Sequence, residues 1–208
     1  MARVIAVVNQ KGGVGKTTTT VNIASFLAAN HRVLIIDVDP QGNSTLGLGF
    51  DKEEESVNVY DVLIGSSPVK SVIKKTRVEG LDLLASNIDL AGAEVELVNM
   101  DNKETRLKNA VSEIRPSYDF IFIDTPPSLG LLTINALTAA DSALIPMQCE
   151  FYALDGLGQL LRTIDLIRQS LNPRLVIEGV VITMFDSRTN LAVQVVDEIK
   201  KKFGRKVY

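Results

Sequence analysis

The residues with the clearest chemistry lie near the start of the chain, in a glycine-rich loop that ends in Gly15, Lys16 and Thr17. Glycines let backbone N–H groups converge on an anion, and a helix that begins at such a loop adds the positive end of its dipole. An ammonium group there suits the terminal phosphates of a nucleotide, and a hydroxyl suits Mg²⁺. The segment therefore predicts a phosphate site for a nucleoside triphosphate with Mg²⁺. A loop that only turns the chain would not need the lysine and the threonine.

Two positions depart from the common form of this loop. Gln10 stands where the usual P-loop has its first glycine, and Lys11 adds a second lysine at the start of the loop. A lysine that cannot easily fold back onto its own phosphates is placed to reach a nucleotide in a facing subunit. On chemistry alone, this contact between subunits remains a hypothesis.

Aspartates follow two predicted strands. Asp39 closes the strand at 32–38, and Asp124 ends the strand at 119–124. Folds that alternate strands and helices bind ligands at the carboxyl ends of their strands, so both carboxylates are expected at the same edge as the phosphate loop. Asp37 alternates with Asp39 along the strand end, and we interpret it as support for the loop.

A regular alternation of strands and helices must position these side chains. Apolar runs predict strands at 4–9, 32–38, 81–85, 119–124, 142–147 and 175–183. Helical spacing predicts helices at 17–30, 57–64, 69–75, 103–115, 133–140, 154–170 and 191–203. The polar segment 39–44 predicts a loop. Right-handed crossovers then give an α/β fold of P-loop NTPase type, with a mostly parallel twisted sheet and helices on both faces, and we expect residues 1–208 to form a single domain.

Composition limits the class of protein and the kind of site. Hydrophobic residues make up 46% of the 208 residues and aromatics only 5%, so the core depends on aliphatic side chains, as in parallel strands buried on both faces. Cys149 and His31 are each the only residue of their type, which excludes an intrachain disulfide, a cysteine-ligated metal cluster and Ser-His or Cys-His catalysis. The net charge of -3 excludes a surface that is basic throughout. With no apolar run near the ~20 residues of a membrane span and no signal-peptide core, we expect a soluble intracellular protein.

Several motifs together resemble those of one family. Residues 9–19 look like the deviant Walker A motif of the ParA/MinD ATPases, residues 38–43 resemble their second motif, and residues 123–128 resemble their Walker B segment. Three further segments are similar to the chromosomal ParA (Soj) branch of that family, at 129–141, 145–150 and 182–189. The resemblance extends from residue 3 to residue 208.

The resemblance assigns roles to the residues of the loop and to the two aspartates. Lys11 matches the signature lysine that contacts the partner's nucleotide in an ATP-bound sandwich homodimer, and Gly12 lies where the two subunits approach. Asp39 matches the residue that orients the attacking water, and Asp124 matches the carboxylate that holds Mg²⁺ through water. The catalytic residues implied are Lys11, Lys16 and Asp39. The metal residues implied are Thr17, Asp39 and Asp124. The residues implied for nucleotide binding are Lys11, Gly12, Gly13, Val14, Gly15, Lys16, Thr17, Thr18 and Met184.

The late strand favours adenine over guanine. GTPases read guanine with a segment that carries a lysine after such a strand, and this chain has Met184 there. The resemblance independently implies ATP. Met184 is interpreted either as a contact of the base or as core filler at a strand end.

The function implied is that of a partition ATPase with weak intrinsic activity. In the ParA branch an ATP-bound dimer coats nucleoid DNA without sequence preference, and a ParB-type centromere-binding partner stimulates hydrolysis. Arg188 matches an arginine that binds DNA in this branch, and a planar guanidinium suits phosphate oxygens. The basic residues at 200–206 either extend that patch or form the solvated end of a helix. We expect a cytoplasmic, nucleoid-associated protein without stable membrane association.

The sequence bears on three other functions. A MinD-like positioning ATPase at the membrane is the alternative, and it would normally show an amphipathic C-terminal helix. A carrier of iron–sulfur clusters is excluded by the single cysteine, and a regulatory module without hydrolysis is disfavoured by Lys16, Asp39 and Asp124. Relatives of the Soj branch continue with another strand, a loop that flanks adenine and a final helix, so the chain is expected to be C-terminally truncated.

Overall fold

A computed structural model describes residues 1–150 and 152–208. In these residues seven strands form one sheet in the order β3-β4-β2-β5-β1-β6-β7. The strands are β1 Arg3–Val7, β2 Val33–Asp37, β3 Lys74–Lys75, β4 Leu81–Leu84, β5 Phe120–Asp124, β6 Ser142–Gln148 and β7 Val176–Thr183. Neighbouring strands are parallel except β3, which runs antiparallel to β4 at one edge. The predicted fold class is confirmed.

Helices connect the parallel strands and cover both faces of the sheet. They are α1 Lys16–Ala28, α2 Asn43–Gly47, α3 Val59–Ile64, α4 Val69–Val72, α5 Leu90–Val98, α6 Arg106–Ile114, α7 Leu131–Ala139, α8 Ala153–Ser170 and α9 Asn190–Phe203. Short 3-10 turns follow α6 and α9, at Arg115–Ser117 and Gly204–Lys206. In the part of the chain that the structure describes, no helix is both long and apolar enough to cross a membrane.

The core is divided by the sheet because successive strand residues point to opposite faces. Ile5 and Val7 of β1 belong to a smaller cluster that includes Ala24 of α1. Val4 and Ala6 belong to the larger cluster on the other face, where α3 to α9 pack. The central strands are thus buried on both sides, which fixes the positions of the loops that follow them.

Two predicted elements differ from the structure, and one helix lies where the sequence analysis predicts none. The predicted helix 69–75 ends as α4 at Val72, and its last two residues form edge strand β3, because Lys74 and Lys75 pair with β4. The predicted loop 39–44 contains the start of α2, whose N-cap is Gly42. Helix α5 was not predicted at all, although Leu90, Ala93 and Leu97 give it a buried face at helical spacing.

The register of the three central strands aligns the ends that carry chemistry. Val7, the last residue of β1, lies opposite Asp124 at the end of β5. Asp37, the last residue of β2, also lies opposite Asp124 on the other side of β5. The phosphate loop after β1 and the Asp39 loop after β2 therefore leave the sheet at the same edge.

Candidate nucleotide and magnesium site

The loop between β1 and α1 has the backbone form of an anion cradle. Gly13 and Gly15 adopt positive φ angles of 75° and 86°, a region that favours glycine. Gly15 precedes α1, whose first turn has no side-chain cap and no acidic residue, so its N–H groups face the loop without a competing carboxylate. Thr183 at the end of β7 supports the loop, since its Oγ1 donates a 2.8 Å hydrogen bond to the Val14 carbonyl oxygen.

Lys16 lies inside this loop and is buried. Its Nζ donates a 3.1 Å hydrogen bond to the carbonyl oxygen of Lys11. Burial lowers the pKa of Lys16, while the carboxylates of Asp124 and Asp39 act in the opposite direction. The ammonium group is therefore placed between the loop backbone and the two acidic residues.

Asp124 is fully buried beneath the loop and receives hydrogen bonds from three hydroxyl groups. Thr17 and Ser44 each donate to Oδ2 at 2.7 Å, and Thr20 donates to Oδ1 at 3.3 Å. Burial raises the pKa of Asp124, while the hydrogen bonds from Ser44 and Thr17 lower it. Sequence reasoning missed Ser44 and Thr20. Their positions in the sequence could have indicated them. Ser44 stands in the polar loop after β2, and Thr20 lies one helical turn after Thr17.

Asp37 joins the Asp39 loop to α2. Its Oδ2 accepts hydrogen bonds from both the N–H and the hydroxyl of Thr45, each at 2.9 Å, and its Oδ1 accepts one from the Asp39 N–H at 3.1 Å. Burial, followed by the nearby charge of Asp124, raises the pKa of Asp37 to about 7. The carboxyl group therefore fixes the loop that carries Asp39.

Asp39 faces the phosphate loop across a cleft. Its Oδ1 accepts a 2.9 Å hydrogen bond from the Gln41 N–H, and its carbonyl oxygen accepts one from Ser86 Oγ at 2.8 Å. The cleft has a volume of about 430 Å³. The residues that line it are Gly12, Gly13, Gly15, Lys16, Thr17, Thr18, Asp39, Gln41, Asn43, Pro127 and Met184. The fold thus brings most of the sequence-predicted site residues to one place.

Met184 stands at the rim of this cleft. Its φ angle is 51° and it is 68% exposed, so the interpretation as core filler is wrong. The Nε2 atom of Gln148 lies 2.7 Å from the Met184 sulfur. An exposed thioether at the mouth of the cleft is available to a planar ligand group.

Two predicted residues of the phosphate loop do not line this cleft. The side chain of Val14 is buried beneath the loop, and Lys11 projects away from the cleft. Both line a neighbouring cavity of about 670 Å³, which extends to the start of α8. The Lys11 ammonium forms an ion pair with Glu150 of its own chain.

Comparison with known proteins gives the family. A family model described as an AAA domain matches residues 2–177. The sporulation initiation inhibitor protein Soj of Bacillus subtilis is 56% identical over 100% of this chain and 83% of its own length. The chromosome partitioning protein ParA of Myxococcus xanthus is 52% identical over 100% of this chain and 74% of its own length. The chain belongs to the ParA/Soj family.

Solved structures agree with this placement of the ParA/Soj-family chain. A Mycobacterium smegmatis protein described as cobyrinic acid a,c-diamide synthase, with a bound ATP analogue and magnesium, is 43% identical. It matches 98% of this chain and 84% of that one, with a TM-score of 0.91. A plasmid partition protein from Borrelia burgdorferi is 29% identical and matches 99% of this chain and 87% of that one, with a TM-score of 0.85.

The oxygen-bearing side chains in and beneath the cleft of this ParA/Soj-family chain suit a hard divalent cation. Mg²⁺ prefers oxygen ligands and is usually bound by one or two carboxylates together with water and phosphate oxygens. The hydroxyl of Thr17 touches the buried carboxylate of Asp124, and Asp39 lies across the same cleft. Among residues 1–150 and 152–208 no cluster of three or more His, Cys, Asp or Glu forms a metal site by itself. The arrangement therefore suits a cation that is held jointly with phosphates.

Arg188 lies in the loop after β7, outside this cleft. Its side chain is 86% exposed and forms a forked ion pair with Asp186, in which Nε and Nη2 donate at 2.9 and 2.7 Å. The guanidinium thus already has a carboxylate partner in its own loop. In the basic segment that follows, Lys201 pairs with Glu198 at 2.5 Å, and Lys206 donates to the Ile177 carbonyl oxygen at 2.7 Å.

Proposed function

We propose that the chain is a partition ATPase whose dimerisation and DNA binding are driven by MgATP and whose slow hydrolysis is stimulated by a ParB-type partner. The observation that carries this proposal is the pair formed by Thr17 and Asp124 beneath the buried Lys16. A hydroxyl on a buried carboxylate, next to a buried ammonium and a glycine loop, is what joint binding of a triphosphate and Mg²⁺ requires. Membership of the ParA/Soj family supports the biological role.

In this proposal the residues of the loop hold the nucleotide. The N–H groups of the segment from Lys11 to Thr18, Val14 included, surround the phosphates, and Lys16 neutralises the terminal ones. Thr17 and Asp124 hold the metal, with Asp39 near it, and Mg²⁺ when bound supplies neutralisation of phosphate charge. Met184 lies against the base. ATP is favoured because a 43% identical structure contains an ATP analogue with magnesium.

Asp39 is assigned to hydrolysis. Its carboxylate is held by Gln41 and faces Lys16 across the cleft, which places an acceptor where it can orient a water against the last phosphate. No arginine is among the described residues that line the cleft. Stabilisation of developing charge is a major part of phosphoryl-transfer catalysis, so intrinsic turnover is slow until a partner changes the site.

The homodimer and the DNA contact use three residues, of which only Gly12 lines the cleft. Lys11 reaches the nucleotide of the second subunit, and Gly12 keeps the surface between the subunits free of a side chain. Arg188 contacts DNA phosphates without reading sequence, because phosphate contacts carry no base information. The protein is then cytoplasmic and associated with the nucleoid, without stable membrane association.

The deciding experiment measures binding to duplex DNA with ADP, with ATP and with a slowly hydrolysed ATP analogue, using Bacillus subtilis Soj as a reference. We expect tight binding only with ATP or the analogue, independent of sequence and steeply reduced by salt. Anionic lipid vesicles form the second arm. ATP-dependent binding to vesicles instead of DNA would replace the partition function by the MinD-like one.

A further inference from the structure

The first residues of the phosphate loop are attached to β6, to α8 and to Glu150 between them. Asn9 Nδ2 donates a 2.8 Å hydrogen bond to the Pro146 carbonyl oxygen, and Gln10 Nε2 donates one to Gln159 Oε1 at 2.9 Å. The third contact is the ion pair between Lys11 and Glu150. Two of these contacts are neutral, and only the ion pair engages a residue that is proposed to act on a second subunit.

The backbones on both sides of this ion pair are anchored. The N–H of Lys11 donates to Asn9 Oδ1 at 3.0 Å, and its carbonyl oxygen accepts the hydrogen bond from Lys16 Nζ. Glu150 donates its N–H to the Gln148 carbonyl oxygen at 3.1 Å and accepts from the Ala153 N–H at 3.0 Å. Only the side chains are free to exchange partners, and their exposures are 46% for Lys11 and 53% for Glu150.

We infer that Glu150 is a positioning residue for Lys11, and that it holds the lysine back in the unpaired subunit. The carboxylate of Glu150 and the nucleotide phosphate of a facing subunit compete for the same ammonium group. Dimer closure then exchanges a carboxylate for a phosphate on Lys11. This inference rests on the proposed function, because it requires the contact of Lys11 across the dimer.

The ion pair between Lys11 and Glu150 is weak enough to be exchanged when the dimer closes. A half-exposed ion pair contributes little, so it raises the threshold for closure without preventing it. A symmetric dimer exchanges two such pairs at once, one from each subunit. Loss of the restraint therefore favours the dimer by about 2- to 30-fold in its dissociation constant.

The test compares Glu150→Gln with the parent chain and with a matched control by sedimentation equilibrium in saturating MgATP. Asp155 is exposed and lines the same cavity, so Asp155→Asn removes an equal charge from the same rim without touching Lys11. We expect Glu150→Gln to dimerise about 2- to 30-fold more tightly than the parent, and the gain to shrink as salt rises. Asp155→Asn should have the same dimer dissociation constant as the parent. ADP affinity by calorimetry should be equal for all three chains.

A Lys11→Ala background separates this role from a purely structural one. In that background Glu150→Gln should not restore the dimer, because the group that it releases is absent, and a restored dimer would show that Glu150 does not act through Lys11. A parent that does not dimerise with MgATP, or a Lys11→Ala chain that dimerises like the parent, would overturn both the proposed function and this inference. If Lys11→Ala fails to dimerise but Glu150→Gln dimerises as tightly as the parent or less tightly, the proposed function stands and the inferred restraint by Glu150 is wrong. An equal gain in dimer affinity for Asp155→Asn would show that the effect comes from net charge and not from Glu150 itself. That result would also overturn the inference.

Discussion

Thr17 Oγ1 donates a 2.7 Å hydrogen bond to Asp124 Oδ2, although the two residues are 107 positions apart in the chain. The contact exists because β1 and β5 are paired in parallel with Val7 opposite Asp124. The loop after β1 then returns Thr17 above the end of β5 as the second residue of α1. The register of two central strands therefore determines whether a hydroxyl and a carboxylate meet at the candidate metal position.

Removal of the Lys16 ammonium should abolish nucleotide binding. We expect Lys16→Ala to bind MgATP about 100-fold more weakly or not at all, because charge-assisted hydrogen bonds to phosphate are among the strongest in proteins. Isothermal calorimetry measures the affinity. Lys108→Ala on the exposed face of α6 is the control for loss of a lysine far from the cleft. Equal affinities for the two variants would remove Lys16 from the site.

Removal of the Asp39 carboxylate should separate binding from hydrolysis. We expect Asp39→Ala to bind MgATP and to accumulate as the dimer, because the change affects the position of the attacking water and leaves the phosphate loop intact. Phosphate release and sedimentation measure the two effects on the same sample. A variant that releases phosphate at the parental rate would exclude Asp39 from catalysis.

The buried Asp37 makes the stability of the protein without nucleotide and Mg²⁺ depend on pH. Burial raises its pKa to about 7 from an ordinary value of 3.8, so the folded state binds the proton more tightly than the unfolded state. The stability that this proton contributes is present at low pH and is lost as the pH rises through about 7. Between about pH 5 and about pH 8 the loss is on the order of 2 kcal/mol.

Asp37→Asn removes that titration, although its amide group no longer accepts every hydrogen bond that Asp37 accepts from Thr45 and Asp39. We therefore expect the variant to be less stable than the parent at about pH 5 and the deficit to shrink by about pH 8. Urea unfolding at both pH values measures the two free energies of unfolding. A deficit that stays constant with pH would show that Asp37 does not titrate in this range.

The ion pair of Arg188 with Asp186 allows two tests of the DNA contact, one expected to weaken DNA binding and one expected to strengthen it. Arg188→Glu should weaken binding to duplexes of any sequence and lower the slope of log affinity against log salt by about 1 per lost phosphate contact. Asp186→Asn should strengthen binding, because it frees the guanidinium that Asp186 holds at 2.7 Å. Fluorescence anisotropy with MgATP measures both, and sedimentation confirms that dimerisation is unchanged. If neither variant alters the affinity, the basic residues at 200–206 become the better candidate.

The sequence predicted the parts of the fold that depend on local pattern. Long apolar runs and the glycine loop identified the central strands and the position of Lys16, and the structure places them accordingly. Strand β3 could not be predicted in this way, because two lysines become a strand only through pairing with Leu83 and Asp82. Helix α5 is hard to predict because Gly92, a weak helix former, stands on its exposed face and because no side chain caps its first turn.

The candidate site was predictable in its residues and less so in their contacts. Asp39 and Asp124 follow from their places at strand ends, whereas Ser44 reaches Asp124 only because α2 begins inside a segment that was predicted as a loop. The pairing of Lys11 with Glu150 joins residues 139 positions apart. No spacing rule connects these positions, since the parallel pairing of β1 with β6 brings them together.

The interior position of β1 and β5 has a consequence for amide hydrogen exchange. Each has a hydrogen-bonded strand on both sides, so their amides exchange with solvent only when the sheet itself opens. These strands are already protected before any ligand arrives, and a nucleotide has little further order to impose on them. We therefore expect nucleotide to change deuterium uptake mainly outside these two strands, in the phosphate loop, in α2 and around Glu150.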